Sequence, residues 1–143
     1  MRAPTVIPVP GFGAEDVLVD RSGQVWTGTE GGDIFRMSPD GAVIDLVANT
    51  GGRPLGLELH GDRILACDAH VGLLLLDPAT ATFESLVVEV DDVPMVFCNN
   101  AAVSSTGDIW FSDSSTRYGI ERWKDDFVQV TRTGRLFCRR TDG

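Results

Sequence analysis

The residues best suited to chemistry lie on two neighbouring predicted strands. Asn99 and Asn100 stand where the first strand begins, and Asp113, Arg117 and Tyr118 stand at and beyond the end of the second. A Ser-Ser-Thr-Gly-Asp turn joins the strands into an antiparallel hairpin, so these two points lie at the same edge of a sheet. Amide, carboxylate and phenol groups therefore gather at one edge. We predict a substrate site there, built from four residues: Asn100, Asp113, Arg117 and Tyr118.

Three other polar residues share this edge in the predicted strand order. Glu15 precedes the first strand of one unit, and Asp68 and His70 follow the second strand of another. A histidine here could act as a general base, so Asp68 and His70 are candidate catalytic residues. The alternative for both, as for Asp113, is a loop residue bonded to backbone groups. Carboxylate and amide oxygens around a narrow axis suit a hard cation such as calcium, which polarises a carbonyl or phosphoryl oxygen.

Short strands in a repeating order must position these residues. The turn glycines Gly23, Gly61 and Gly107 recur at intervals of 38 and 46 residues. Four short strands at a period of about 40 to 50 residues are typical of propeller blades. We therefore predict an all-β fold with three four-stranded β-propeller blades, the third of which lacks its fourth strand. The predicted units are an N-terminal arm over residues 1–12 and blades over 13–48, 53–89 and 97–143.

The crossing over residues 113–133 is the longest connection in the predicted order. Long loops on a rigid scaffold often shape binding pockets, so we predict that this one forms a lid over the substrate. Its pattern indicates at most a brief helical turn at 125–129.

Composition restricts the class of partner. The chain has 143 residues, enough for one domain, and a net charge of −9. That charge argues against nucleic-acid partners and against anionic membrane surfaces. No apolar run has the length of a membrane span and no leader pattern is present, so we expect a cytoplasmic protein. The three cysteines have no Cys-x-x-Cys spacing and are predicted to be reduced and buried.

Several segments resemble the strictosidine-synthase-like proteins, which belong to the wider gluconolactonase and paraoxonase group of six-bladed propellers. The resemblance covers nearly the whole chain and is most specific in an Asp-Ser-Ser-Thr-Arg-Tyr run. The matching segments are residues 13–17, 52–57, 68–74, 98–100, 110–118 and 133–136. The resemblance implies the six-bladed type of propeller, of which this chain matches the first half. His70 stands where family members often have tyrosine.

The resemblance also implies a metal site. In the calcium-dependent members of the wider group, a glutamate opening the first blade and an asparagine opening the third hold the ion. Glu15 and Asn99 match these positions, with Asn100 beside them, and the remaining ligands would come from later blades. The alternatives are a surface glutamate at Glu15 and a strand-start cap at Asn99.

Three functions follow as alternatives. The favoured one is a calcium-dependent hydrolase of small-molecule esters or lactones, or a fragment of one. The others are a non-catalytic propeller that binds a partner or small ligand, and a carbon–carbon-forming enzyme like strictosidine synthase, which uses a glutamate from a later blade. Because three blades cannot close a ring, we expect either a longer propeller or a homodimer of two such chains.

Overall fold

The computed structural model describes residues 3–142, in which strands form four antiparallel sheets. The first sheet contains β1 (Leu18–Val19), β2 (Val25–Gly28), β3 (Asp33–Met37) and β4 (Ile44–Asn49). The second contains β5 (Pro54–His60), β6 (Arg63–Asp68), β7 (Gly72–Asp77) and β8 (Thr82–Val87). A two-stranded hairpin follows, β9 (Glu89–Val90) with β10 (Val93–Pro94), and the third large sheet contains β11 (Cys98–Val103), β12 (Ile109–Asp113) and β13 (Arg135–Arg139). The all-β prediction is confirmed.

The helix α1 (Trp123–Gln129) lies in the crossing between β12 and β13, after a 3₁₀ turn over Ile120–Arg122. It ends where Val130 adopts a left-handed conformation, at φ 50° and ψ 48°. The N–H of Val130 then bonds to the carbonyls of Asp126 and Phe127, which satisfies groups left open at a helix end. The crossing is thus more helical than the brief turn predicted from the sequence.

Two strand predictions differ from the structure. The predicted strand over residues 15–20 is reduced to β1, because the Asp16 side chain turns away and its Oδ2 accepts a hydrogen bond from the Leu57 N–H at 2.8 Å. The β9–β10 hairpin was not predicted, because its turn contains no glycine. Asp91 and Asp92 form that turn instead, with φ of 54° and 61°, a conformation that aspartate tolerates better than most residues.

The second sheet lies between the other two and is buried on both faces. On one face, Ile64 and Leu74 pack with Trp26 of the first sheet. On the other, Leu65 and Leu73 pack with residues of the third sheet, among them Ile109 and Phe111. A strand covered on both sides needs apolar residues at every position rather than at alternate ones. This accounts for the unbroken leucine run Leu73–Leu76, which is at most 3% exposed.

The three cysteines are free, but Cys138 is only partly buried, so the predicted burial is confirmed for two of them and wrong for Cys138. Cys67 and Cys98 are fully buried between the second and third sheets. The neighbouring Cys98 thiol, together with burial, raises the pKa of Cys67. A buried thiol with a raised pKa is unreactive. This agrees with the prediction that the buried cysteines serve only to pack the core.

The outer faces of the first and third sheets differ. The N-terminal arm packs against the first sheet, where the Glu30 N–H donates to the Phe12 carbonyl at 2.9 Å. Gly41, at φ +71°, leaves space that the Ile7 side chain fills. The arm is extended but joins no strand in the described residues. On the third sheet, Trp110 and Leu136 are 41% and 71% exposed.

Residues 3–142 contain no helix with the length and apolarity needed to cross a membrane.

Candidate functional site

Glu15, Leu55 and Asn99 occupy the same position in the three large sheets. In each sheet, the residue three positions later lies on the innermost strand and pairs with a residue of the second strand. These pairs are Leu18 with Trp26, Glu58 with Leu65 and Ala102 with Trp110. In β5 and β11 the ladder is irregular at this point. Such bulges re-aim a side chain and are frequent beside active sites. The three blades therefore present a carboxylate, an apolar residue and an amide at one level.

Glu15 and Asn99 line one cavity, of about 460 Å³. Its remaining wall has polar and apolar parts, supplied by the second blade, by the start of β11 and by the crossing that contains α1. The lining residues are Glu15, Arg53, Phe97, Asn99, Ser114, Ser115, Ile120, Trp123, Asp126 and Phe127. The predicted pair of ligands is thus brought together by the fold.

The oxygen atoms of this pair are available to a ligand. The Asn99 Nδ2 donates to the Ser114 Oγ at 3.0 Å, which orients the amide, and its Oδ1 accepts no hydrogen bond from any residue in the range 3–142. Glu15 is exposed and makes no ion pair with any other residue in the range 3–142. A carboxylate and an amide oxygen are hard donors, which fit calcium.

The donor set is partial. Calcium takes about six to eight oxygen ligands, whereas the described part of the chain holds no group of three or more His, Cys, Asp or Glu residues placed to bind a metal. Glu15 and Asn99 therefore fit calcium as two ligands among several.

Asp68, predicted as catalytic, has a structural role. The side chain is fully buried. Its Oδ1 accepts the N–H groups of His70 and Val71 at 2.9 and 3.1 Å, and its Oδ2 accepts the Thr50 hydroxyl at 2.6 Å. These bonds hold the β6–β7 turn in place. The Asp68 side chain is not among the residues that line the cavity. The alternative reading of Asp68 as a loop residue describes the structure.

Asp113, predicted to contact substrate, is the counterpart of Asp68 at the end of β12. It is also fully buried. Its Oδ1 accepts the N–H groups of Phe97 and Val96 at 2.6 and 3.2 Å, and its Oδ2 pairs with the Arg135 Nη2 at 2.6 Å. The carboxylate therefore fixes the segment before β11, which in turn positions Asn99.

His70 lies outside the cavity. Its Nε2 is 2.7 Å from the Glu121 Oε1, and both side chains are exposed. The Glu121 backbone N–H and the His70 ring hold the pKa of Glu121 below its usual value. The pair joins the second sheet to the α1 crossing. His70 is therefore not among the residues that line the cavity.

The other predicted substrate contacts are not among the residues that line the cavity. Tyr118 is buried, and the guanidinium groups of Arg117 and Arg122 lie 5.3 and 4.7 Å from its ring centre. Asn100 is exposed, and its Oδ1 accepts the Ala101 N–H at 2.9 Å. The bulge that aims Asn99 at the cavity sends Asn100 elsewhere.

Eight of the ten lining residues were not predicted as site residues from the sequence, and four of them bear on the chemistry of the cavity. Trp123 and Phe127, one helical turn apart on α1, stack edge to face with ring centres 5.7 Å apart. Their i, i+4 spacing was a signal, but the charged residues around them favoured a solvated loop. Asp126 accepts hydrogen bonds from Ser115, at 2.7 Å, and from Thr131. These bonds hold the pKa of Asp126 below its usual value, the Thr131 bond most strongly. Arg53 gave no signal beyond its place before a strand-opening proline.

The sequence of this chain is similar to those of strictosidine synthase-like proteins. The family model described as strictosidine synthase-like, N-terminal, matches residues 1–37. Protein strictosidine synthase-like 4 of Arabidopsis thaliana is 33% identical over 129 residues, covering 85% of this chain and 35% of that protein. The adipocyte plasma membrane-associated protein Hemomucin of Drosophila melanogaster is 27% identical, covering 85% of this chain and 24% of that protein. The chain thus spans about a third of the length of the first of these relatives.

A solved structure supports the fold alone. The extracellular domain of a one-component system protein from B. thetaiotaomicron superimposes with a TM-score of 0.60 at 22% identity, covering 73% of this chain and 16% of that chain. At this identity the likeness concerns the arrangement of the sheets and not the chemistry.

Proposed function

We propose that this chain, which belongs to the strictosidine synthase-like family, contributes part of the axial site of a calcium-dependent hydrolase of esters or lactones. One observation carries the proposal. Glu15 and Asn99 occupy equivalent positions in two blades and line one cavity, each with an oxygen free to bind a ligand.

The chain's own residues have distinct tasks in this proposal. Glu15 and Asn99 hold the ion, and the Ser114 hydroxyl orients the Asn99 amide through their 3.0 Å hydrogen bond. Bound calcium supplies Lewis-acid polarisation of a carbonyl oxygen. Trp123 and Phe127 line the cavity from α1 and give it an apolar wall.

A non-catalytic binding module is the second candidate. It is favoured because His70, the predicted general base, does not line the cavity. The cavity lining contains no histidine among the described residues, and Asp68 and His70 are engaged in structural contacts. In this candidate the cavity holds a ligand without turning it over, and the two lining carboxylates, Glu15 and Asp126, take no part in catalysis. The carbon–carbon-forming alternative has no separate observation in its favour.

Hydrolysis assays separate the two candidates. Aryl esters and lactones are incubated with the purified protein in calcium or in a chelator. We expect chelation to lower the rate about tenfold or more, and Glu15→Gln to reproduce that loss in calcium. Glu89→Gln, an exposed position on β9, is the matched control and should leave the rate unchanged. Hydrolysis that is indifferent to the chelator would contradict the calcium role, and ligand binding without hydrolysis would favour the module.

A further inference from the structure

Arg53 carries unused hydrogen-bonding capacity inside the cavity. Its Nε is buried and has no hydrogen-bond partner in the part of the chain that the structure describes. Its nearest charged neighbour is Glu30, with Nη1 and Oε1 3.4 Å apart. A guanidinium group stays charged and presents five N–H donors in a planar fork. A buried donor without an acceptor is unfavourable, so this side chain is suited to an acceptor that a ligand brings.

The backbone holds Arg53 in place. Its carbonyl accepts the Ala69 N–H at 2.9 Å. Pro54 follows it, which restricts Arg53 to an extended conformation. The side chain is only 19% exposed. The guanidinium is therefore fixed before a ligand arrives, which reduces the entropy lost on binding.

The wall beside Arg53 is apolar. Phe97 and Ile120 are buried at its base, and the Trp123–Phe127 pair forms the outer side. The volume of about 460 Å³ accommodates a ligand of one or two rings. A ligand matching this wall has an apolar body next to one anionic group.

Two carboxylates share the lining with Arg53. The Asp126 Oδ1 accepts the hydroxyl hydrogen bonds of Ser115 and Thr131, and Glu15 is assigned to the cation by the proposed function. Arg53 is the cationic residue of the lining. It pairs with Glu30 through Nη1, and its Nε has no hydrogen-bond partner among residues 3–142.

We propose that Arg53 binds the carboxylate of a ligand whose apolar body packs against Trp123 and Phe127. The inference rests on the proposed function, because it names the substrate class of the same cavity. That class is esters or lactones that carry a carboxylate beside an aromatic or aliphatic body.

Binding of three matched probes tests the inference without catalysis. Benzoate, benzamide and benzamidine share one shape and carry negative, zero and positive charge. Their affinities are measured by calorimetry for the Glu15→Gln protein in a chelator, so that neither bound calcium nor the Glu15 carboxylate contributes to the charge preference. We expect benzoate to bind about tenfold more tightly than benzamidine, the scale of one charge-assisted hydrogen-bonded pair. A preference for benzamidine or equal binding of all three would overturn the inference.

Variants of Arg53 identify the group responsible. Arg53→Met keeps the length of the side chain and should weaken benzoate about tenfold, while Arg53→Lys should restore part of the affinity. Arg63→Met is the matched control, since Arg63 is exposed and pairs with Glu84 on β8. Unchanged benzoate binding in a folded Arg53→Met protein would also overturn the inference. Melting curves establish that each variant is folded.

The two claims fail separately. Benzoate preference without calcium-dependent hydrolysis removes the proposed function and keeps the anion site. Calcium-dependent hydrolysis that treats neutral and carboxylated esters alike removes the anion site and keeps the proposed function.

Discussion

Asp68 and Asp113 are the last residues of the second strands of two blades, and each holds a neighbouring segment of backbone in place. Their carboxylates accept backbone N–H groups and are closed off from solvent. Asp113 adds an ion pair with Arg135, whose side chain is 20% exposed. A polar residue at a strand end can thus support a site by fixing the segment that carries the ligand residue.

Removing Asp113 should be strongly destabilising. Asp113→Ala leaves Arg135 partly buried without its partner and leaves two N–H groups without an acceptor. Breaking a buried pair in this way costs about 3–5 kcal/mol, measured as the change in the free energy of unfolding in urea.

The control is an exposed pair on the first sheet. Arg36 and Asp45 lie 3.3 Å apart with side chains 41% and 53% exposed. Asp45→Ala should cost about 1 kcal/mol or less. Equal costs for the two variants would show that Asp113 does not hold its loop.

At the scale of elements, α1 depends on few contacts. None of its residues is buried, so the helix contributes little apolar packing. Asp126 ties it to Ser115 at the end of β12 and to Thr131 beyond the helix. The carboxylate is therefore the main anchor of an element that forms one wall of the cavity.

Loss of this anchor should loosen α1. Asp126→Asn should speed amide exchange in residues 123–131 several-fold, while leaving exchange in β12 unchanged. Asp125→Asn, which removes only the exposed contact with Arg122, is the matched control. Equal exchange in the two variants would contradict an anchoring role.

Acid should have the same effect as the substitution. Since the folded pKa of Asp126 lies below the usual 3.8, its contribution to stability is complete above pH 3.8. That contribution is lost as the pH falls through the lower, folded value. Exchange in the wild-type helix should therefore accelerate only below about pH 4, and the Asn variant should show no such step.

The elements were easier to predict than the site. Alternating apolar residues and turn glycines indicated most strands, because those signals are local. The shared level of Glu15, Leu55 and Asn99 depends on strand register and on bulges, which no local pattern reveals. Arg53 and Asp126 belong to the cavity only through packing between segments far apart in sequence. Asp68 looked catalytic because its partners, such as Thr50, become neighbours only in the folded sheet.

For the whole molecule, the open face of the third sheet is the main consequence of the fold. The second sheet has a neighbour on each face, and the N-terminal arm contacts the first sheet near Glu30 and Gly41. The third exposes Trp110 and Leu136, and its edge strand β13 pairs only with β12 among the described strands. Unpaired sheet edges and apolar faces promote association.

The 143-residue chain on its own should therefore self-associate or be poorly soluble. Leu136→Lys should reduce the associated fraction measured by light scattering, because it places a charge on the open face. Leu46→Lys, at an exposed leucine on β4 of the first sheet, should have less effect. A monodisperse monomer with slow amide exchange throughout residues 99–138 would contradict this expectation.

A calcium titration followed by melting temperature tests the metal site most directly. Wild-type protein, Glu15→Gln, Asn99→Ala and the control Glu89→Gln are melted over a range of calcium concentrations, with a chelated sample of each as its own baseline. A ligand that binds only the folded state stabilises it, so calcium should raise the melting temperature of the wild type and of the control in the closed assembly, where the other blades supply the remaining ligands. The rise should be absent in Glu15→Gln and Asn99→Ala. An equal calcium-dependent rise in all four proteins would contradict the assignment of Glu15 and Asn99 as ligands.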